Sequence, residues 1–357
     1  SGPAPADVPS ASPEPTRLDE SPRSLESRPQ SVTPSRDPLS GIRVLGPSVP
    51  CEDGSEQRIL DILEEAADSS THSSELATQI LDWRLRYHLS RHRGFLLSPF
   101  AVGPGMRVLE VGAGMGATTR YLGEVGADVL ALEGSLVRAR AAALRCADLA
   151  GVEVVCGSLE QLRDDDGFDV VVAAGALETA GVAAGGPPSP GRFLERAISL
   201  LRPRGALIIA LENQRGLKYL LGYHEVRLGV PWAGVESHPG RPGVETFTRR
   251  GLRDLLETVG LPAQRWFFPF PDFKLPTVIL TEDAHVGGFA PLLVDQMVRG
   301  RVRSLDRERH RLCDDRAVHR AFLEEDLGLE TANSFLVLAA ADGEDVARLV
   351  KPETLVW

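Results

Sequence analysis

The sequence predicts an α/β fold: a mostly parallel, seven-stranded sheet with helices on both faces, preceded by N-terminal helices and followed by a C-terminal appendage. Three observations predict it. Between Arg107 and Leu211, short apolar runs alternate with helical patterns, as in parallel strands joined by crossover helices. The first run, Val108-Leu109-Glu110-Val111, flows into Gly112-Ala113-Gly114-Met115-Gly116, a glycine-rich bend that opens a helix. The second, Val129-Leu130-Ala131-Leu132, ends on the acid Glu133, with Gly134 behind it. Glycines allow close approach of backbone to a ligand, and the first turn of a helix offers free N–H groups. In such sheets ligands sit at the carboxyl ends of the strands, and both the glycine bend and Glu133 fall there.

The elements follow in order. Residues 1–55 are rich in Pro and Ser, with eleven of the chain's 26 prolines in the first 50 positions. Such a segment cannot bury enough apolar area to offset the entropy of ordering it, so a disordered arm is expected. Ile42-Arg43-Val44-Leu45 is the one patch in it suited to local docking. Residues 56–95 form a helical cap: Ile59, Leu60, Ile62 and Leu63 make one apolar face, and a second helix is expected from Glu75 to Leu89.

The sheet domain spans residues 96–283. Its strands are Arg107–Val111, Asp128–Leu132, Val152–Cys156, Phe168–Ala173 and Ala206–Leu211, with helices at Ala117–Glu124, Leu136–Leu149 and Arg192–Leu201 between them. A Gly/Pro-containing insertion at about 216–247 carries His224, Glu225, Trp232, Glu236 and His238. Thr248 is placed to cap another helix. Arg265–Pro271 and Thr277–Thr281 are expected to close the sheet as a hairpin. Phe267, Phe268, Phe270 and Phe273 suit either core packing or a platform for a substrate ring. Residues 284–357 begin with an arginine-rich helical stretch, Arg299 to Arg311, whose interleaved acids suggest a solvated face. Ser334–Ala340, a turn at Asp342-Gly343 and Val346–Lys351 resemble a β-hairpin opening a second domain.

Composition narrows the function. The chain has 357 residues, 43 % hydrophobic and 25 % charged, as in a soluble globular protein. A net charge of −11 disfavours nucleic acid or an anionic membrane as main partner. No apolar run reaches the ~18 residues of a membrane span. No charged-then-apolar leader opens the sequence, so a cytoplasmic location is expected. Cys51, Cys146, Cys156 and Cys313 lack metal-ligand or redox spacing and suggest packing rather than a metal site.

The spacing at the bend separates two nucleoside cofactors. A nicotinamide dinucleotide site carries G-x-G-x-x-G, whereas this chain has E-x-G-x-G-x-G from Glu110 to Gly116. That form resembles motif I of class I S-adenosylmethionine (SAM) methyltransferases. Further stretches extend the likeness: Tyr87-His88-Leu89-Ser90, Thr118 to Glu124, Leu132-Glu133-Gly134-Ser135, Glu212-Asn213, Gly216-Leu217-Lys218-Tyr219, and Pro269 to Pro276. Together, over about Glu75 to Val350, they resemble a bacterial group of such enzymes associated with surface polysaccharide and O-antigen assembly, some followed by a kinase-like domain. Val350-Lys351 is a two-residue echo of the latter, and no kinase activity is inferred from it.

The resemblance implies a Rossmann-like domain with SAM as cofactor and a small-molecule or glycan acceptor. Gly112, Ala113, Gly114 and Gly116 would line the amino-acid and ribose end, and Glu110 would orient the methionine amine through the loop. Glu133, with Gly134 beside it, would take the ribose hydroxyls. Ser158 and Leu159 stand where the adenine-binding residues lie, although Ser replaces the usual acid or amide. Ala174 to Glu178 would face the methyl, and Tyr87 and His88 would reach over the pocket from the cap. The Ala174-Gly175-Ala176-Leu177-Glu178 stretch lacks the Asn/Asp-Pro-Pro-Tyr of adenine- or glutamine-directed amino methylation and the Pro-Cys of cytosine methylation. A hydroxyl acceptor needs a base within hydrogen-bond reach, for which His224, His238, Glu178 and His88 are candidates. The expected activity is O-methylation of a sugar or secondary-metabolite scaffold. The alternatives are a catalytically silent SAM-binding scaffold of glycan assembly and a nicotinamide-dependent oxidoreductase.

Overall fold

Short runs of apolar residues bounded by Gly, Asp and Arg become strands buried on both faces, because helices pack above and below them. In the computed structural model they are β3 (Arg107–Val111), β4 (Asp128–Glu133), β5 (Val152–Cys156), β6 (Phe168–Ala174) and β7 (Leu201–Glu212). The structure describes residues 35–49, 53–180, 189–225, 229–237, 246–284, 297 and 313–352. Two short strands precede these, β1 (Ser35–Arg36) and β2 (Arg43–Val44). Three follow, β8 (Ala263–Phe270), β9 (Val278–Thr281) and β10 (Ser334–Ala340). The ten strands run β1-β2-β5-β4-β3-β6-β7-β10-β8-β9. From β2 to β7 every neighbouring pair is parallel. The order reverses between β3 and β6, which opens a crevice at their carboxyl ends.

Helices on the two faces are α5 (Ala117–Glu124), α6 (Leu136–Arg145), α7 (Pro190–Ser199) and α9 (Arg249–Thr258), the last capped by Thr248, whose Oγ1 accepts from Gly251 N at 3.1 Å. Between β7 and α9 lies the single turn α8 (Leu217–Leu220). One buried apolar cluster collects Leu109, Val171 and Leu207 on one side of the sheet. Another collects Val108, Val170 and Ile208 on the other.

The cap consists of α1 (Glu56–Glu65), α2 (Ser74–Thr78), α3 (Trp83–Leu89) and α4 (His92–Phe95). The single helix expected from Glu75 to Leu89 is broken. Asp82 caps α3 by accepting from Leu85 N at 2.9 Å, and Leu81 faces outward, so the mixed apolar spacing belongs to two helices. Ile59, Ile62, Leu76, Leu85 and Leu89 pack with Ala141 of α6 and with Met115 of the glycine bend. The cap therefore rests directly on the bend.

Two expectations about the chain ends are corrected. Residues 35–49 of the expected disordered arm are ordered: β2 pairs with β5, and Arg140 holds Asp37 through bonds of 2.7 and 2.9 Å. Unsatisfied backbone at the β5 edge and that ion pair offset what composition lacks. The expected hairpin of a second domain is instead part of this sheet. All seven residues of β10 are buried between antiparallel partners β7 and β8. Beyond it, α11 (Gly343–Leu349) is a helix rather than a strand: Asp342 accepts from Glu344 N at 2.8 Å, and Val346 and Leu349 bury one face. The remaining helix, α10 (Asp315–Glu324), precedes β10. The expected hairpin β8–β9 forms, but β10 separates it from β7. The arginine stretch from Arg299 to Arg311 lies outside the described residues.

Candidate active site

The bend after β3 takes its shape from three glycines with positive φ: Gly112 (78°), Gly114 (57°) and Gly116 (79°), a region costly for any residue with a Cβ. Each absence of a side chain has a different use. A Cβ on Gly116 would lie 2.8 Å from Ala142 Cα, so that glycine lets α5 approach α6. One on Gly112 would touch Ala176 Cβ at 3.4 Å, so the bends after β3 and β6 meet across the crevice. One on Gly114 would meet nothing within 4 Å. The bend is hence open at Gly114, and Gly112 and Ala113 both donate to Leu132 O, at 2.8 and 3.1 Å.

Glu133 ends β4 beside this opening. Its carboxylate accepts from Gly114 N at 2.7 Å and from Ser135 N at 2.9 Å. Burial pushes its pKa up, opposed by those N–H donors. Gly134 follows, and Gly157 N donates to Glu133 O at 2.9 Å, which brings Ser158 and Leu159 alongside. Ser158 N is bonded to Gln161 Oε1 at 2.9 Å, and Leu159 is buried in the core. Glu110 points elsewhere: its carboxylate accepts from Thr119 Oγ1 at 2.5 Å, and burial pushes its pKa up to about 7.

Across the crevice, Ala174 ends β6 and Gly175 follows with φ 80°. Phe273 reaches the Gly175 backbone, its ring 3.4 Å from where a Cβ would be. Phe267, Phe268, Phe270 and Phe273 are all buried, so these rings are core rather than an exposed platform. Glu178 is buried and accepts from Glu212 N at 2.7 Å. Glu212, at the end of β7, is itself buried between Lys218 and Lys274, one on each carboxylate oxygen. Burial lowers the pKa of both lysines, that of Lys274 to about 8. Arg93 joins from the cap, donating to Lys274 O at 3.1 Å. No spacing in the sequence connects positions 178, 212, 218 and 274; Glu212 ends β7 and the other three lie within the few residues that follow β6, β7 and β8, which is the signal that could have found them.

The cap residues are engaged with one another. His88 Nε2 is 2.9 Å from Asp53, and burial lowers its pKa against the pull of that carboxylate. The Tyr87 ring stands edge-on to His88 and under the Arg93 guanidinium. Between α2–α4 and the loop after β8 lies a cavity of about 360 Å³ whose lining includes Trp83, Arg86, His92, Asp272, Leu275 and Thr277. His224 sits in the insertion, bridged to Pro231, with Nδ1 buried and without a hydrogen-bond partner. His238 lies outside the described residues.

Comparison with known proteins agrees with this geometry. Residues 109–209, from β3 through most of β7, match the family model described as a methyltransferase domain. The chain carries a SAM-dependent methyltransferase domain. Its architecture is that of class I, and SAM is the cofactor of the fold. The residues present suit that group: an unobstructed glycine and, beside it, a carboxylate bonded to its N–H. Curated relatives include the ubiquinone biosynthesis O-methyltransferases of Azorhizobium caulinodans and Bradyrhizobium diazoefficiens. The first is 29 % identical over 184 residues, covering 46 % of this chain and 68 % of the relative. The second is 26 % identical over 136 residues, covering 38 % and 51 %. Solved structures with a likeness include the CcbJ methyltransferase of Streptomyces caelestis, 14 % identical over 70 % of this chain and 94 % of that one, TM-score 0.40. Another is a SAM-dependent methyltransferase of Aquifex aeolicus, 20 % identical over 53 % and 87 %, TM-score 0.36. No helix among the described residues is long and apolar enough to cross a membrane.

Proposed function

We propose that the domain transfers the methyl group of SAM to a hydroxyl oxygen of a small or glycan-like acceptor. The observation that carries the reading is Glu133: its carboxylate is fixed to the N–H groups of Gly114 and Ser135, at the rim of the bend that Gly114 leaves open. There it would receive the ribose hydroxyls, while Gly112 to Gly116 hold the amino-acid end and Ser158 and Leu159 border the base. SAM, when bound, supplies a methyl already activated by its sulfonium, so the chain's task is to position two reactants and exclude water. The names of the curated relatives support oxygen as the methylated atom.

The acceptor would enter through the cavity lined by Trp83, Arg86 and His92, whose volume of about 360 Å³ suits a small ring system. As the O–CH3 bond forms and the S–CH3 bond breaks, the hydroxyl proton must leave. Glu178 is the acceptor of that proton that the geometry favours: it follows the methyl-facing Ala174–Leu177 stretch, is buried, and is oriented by Glu212 N. Lys218 and Lys274 pair with the carboxylate of Glu212 and so hold in place the residue whose N–H orients Glu178.

Calorimetry with SAM, and separately with NAD, tests the cofactor assignment. Glu133→Gln should weaken SAM binding by about 1–3 kcal/mol, the value of charged hydrogen bonds. An unchanged affinity would refute the ribose role, and preferential NAD binding would restore the oxidoreductase reading. Mass spectrometry of glycan and phenolic acceptors incubated with SAM then looks for methylated product. SAM binding without transfer to any of them would favour a silent scaffold.

A further inference from the structure

Resting on the placement of the ribose at Glu133, we infer that the N-terminal strap, residues 45–49, forms a wall of the nucleoside pocket through Leu45 and Val49. Leaving β2, the strap turns across the carboxyl ends of β5 and then β4. Leu45 N donates to Cys156 O at 2.8 Å, and Val49 N donates to Gly134 O at 2.9 Å. Ser48 Oγ accepts from Leu136 N at 2.9 Å and so caps α6, the helix that starts beside Glu133. A base joined to a ribose at Glu133 has to lie over these same two strand ends.

The strand ends bring no side chains of their own at Gly134 and Gly157. The strap fills both places. A Cβ built on Gly157 would fall 2.9 Å from Leu45 Cβ, and one on Gly134 would fall 3.7 Å from Val49 Cβ. Leu45 and Val49 are half-buried apolar residues in a segment otherwise made of Gly, Pro and Ser. Exposed aliphatic surface held by backbone bonds at a ligand-binding edge is matched by the apolar face of a purine. The strap is fastened at a distance by the Asp37–Arg140 pair and the β2–β5 pairing, and a nucleoside bound against it would add to that hold. Its role toward the cofactor is positional.

The test uses the full chain and S-adenosylhomocysteine in calorimetry. Val49→Ser and Leu45→Ser should each weaken binding about tenfold, the loss expected from removing one aliphatic contact. The loss should be the same for 5′-methylthioadenosine, which keeps the nucleoside and lacks the amino acid. As a second readout independent of any variant, saturating S-adenosylhomocysteine should slow tryptic cleavage after Arg43. If the wild-type chain binds S-adenosylhomocysteine but both variants bind equally well and cleavage is unaltered, the wall is elsewhere and the inference falls alone. If the wild-type chain does not bind it, the cofactor assignment itself falls, and the inference with it.

Discussion

Glu110→Gln separates the two roles open to the acid that precedes the glycine bend. The side chain is 4 % exposed and bonded to Thr119 Oγ1 at 2.5 Å, and burial raises its pKa from the usual 4.5 to about 7. In the unfolded chain it ionises near 4.5, whereas the folded chain keeps the proton to about 7. Between those values the native state binds more protons, so stability falls as pH rises. The difference corresponds to about 3 kcal/mol of cost once pH exceeds 7. Glutamine is neutral at every pH and removes that cost. Its amide hydrogens need acceptors, which takes back about 1 kcal/mol. The variant should be more stable than wild type by about 2 kcal/mol at pH 8 and no more stable at pH 4.5. Thermal melts at pH 4.5, 6 and 8 measure this. A Tm difference that is the same at all three would refute the reasoning. Calorimetry with S-adenosylhomocysteine completes the test: unchanged affinity makes Glu110 a support of the bend, and a large loss returns it to the methionine amine.

Three further outcomes follow from the same geometry. Gly116→Ala puts a methyl 2.8 Å from Ala142 Cα at a φ of 79°, so the variant should lose about 3 kcal/mol or more and give little folded protein, as read by circular dichroism. Gly114→Ala has open space around its methyl, so it should lose only about 1 kcal/mol of stability while weakening SAM binding. Glu212→Gln leaves Lys218 and Lys274 buried without their common counter-charge and should cost about 3–5 kcal/mol at pH 7. That cost should shrink above pH 8, where Lys274 gives up its proton, so urea melts at pH 7 and pH 9.5 should differ.

What the sequence showed and what it hid divide by range along the chain. The bend, Glu133 and strands β3 to β7 were legible because each is written locally: a glycine spacing, an acid after an apolar run, a period. Thr248 as a cap belongs with these. The cap helices were legible as helices but not in their break, because a short aspartate-initiated helix and a continuous amphipathic one share most of their apolar positions. The buried group around Glu212 joins positions 178, 212, 218 and 274, and no local pattern records that they meet. The strap was legible in part: Ile42 to Leu45 stood out as the one docking patch of a Pro/Ser-rich arm, and that patch does pair with β5, but the sheet edge and the arginine that order the segment around it are not visible in the segment itself.

The strand Ser334–Ala340 carries the same argument to the centre of the fold. Its apolar run identified a strand, and its seven residues are completely covered, but the partners that cover it end at Glu212 and begin at Ala263. A sequence shows that such a run needs two neighbours and not which neighbours it has. Assigned to a separate domain, it leaves β7 and β8 with bare edges in the middle of the sheet; inserted between them, it satisfies both ladders at once. Deleting residues 313–357 should therefore abolish folding of the methyltransferase domain instead of trimming an appendage. A truncated chain that kept a cooperative melt and S-adenosylhomocysteine affinity would show that β10 is dispensable, and with it the claim that the catalytic sheet is completed only by the last part of the chain.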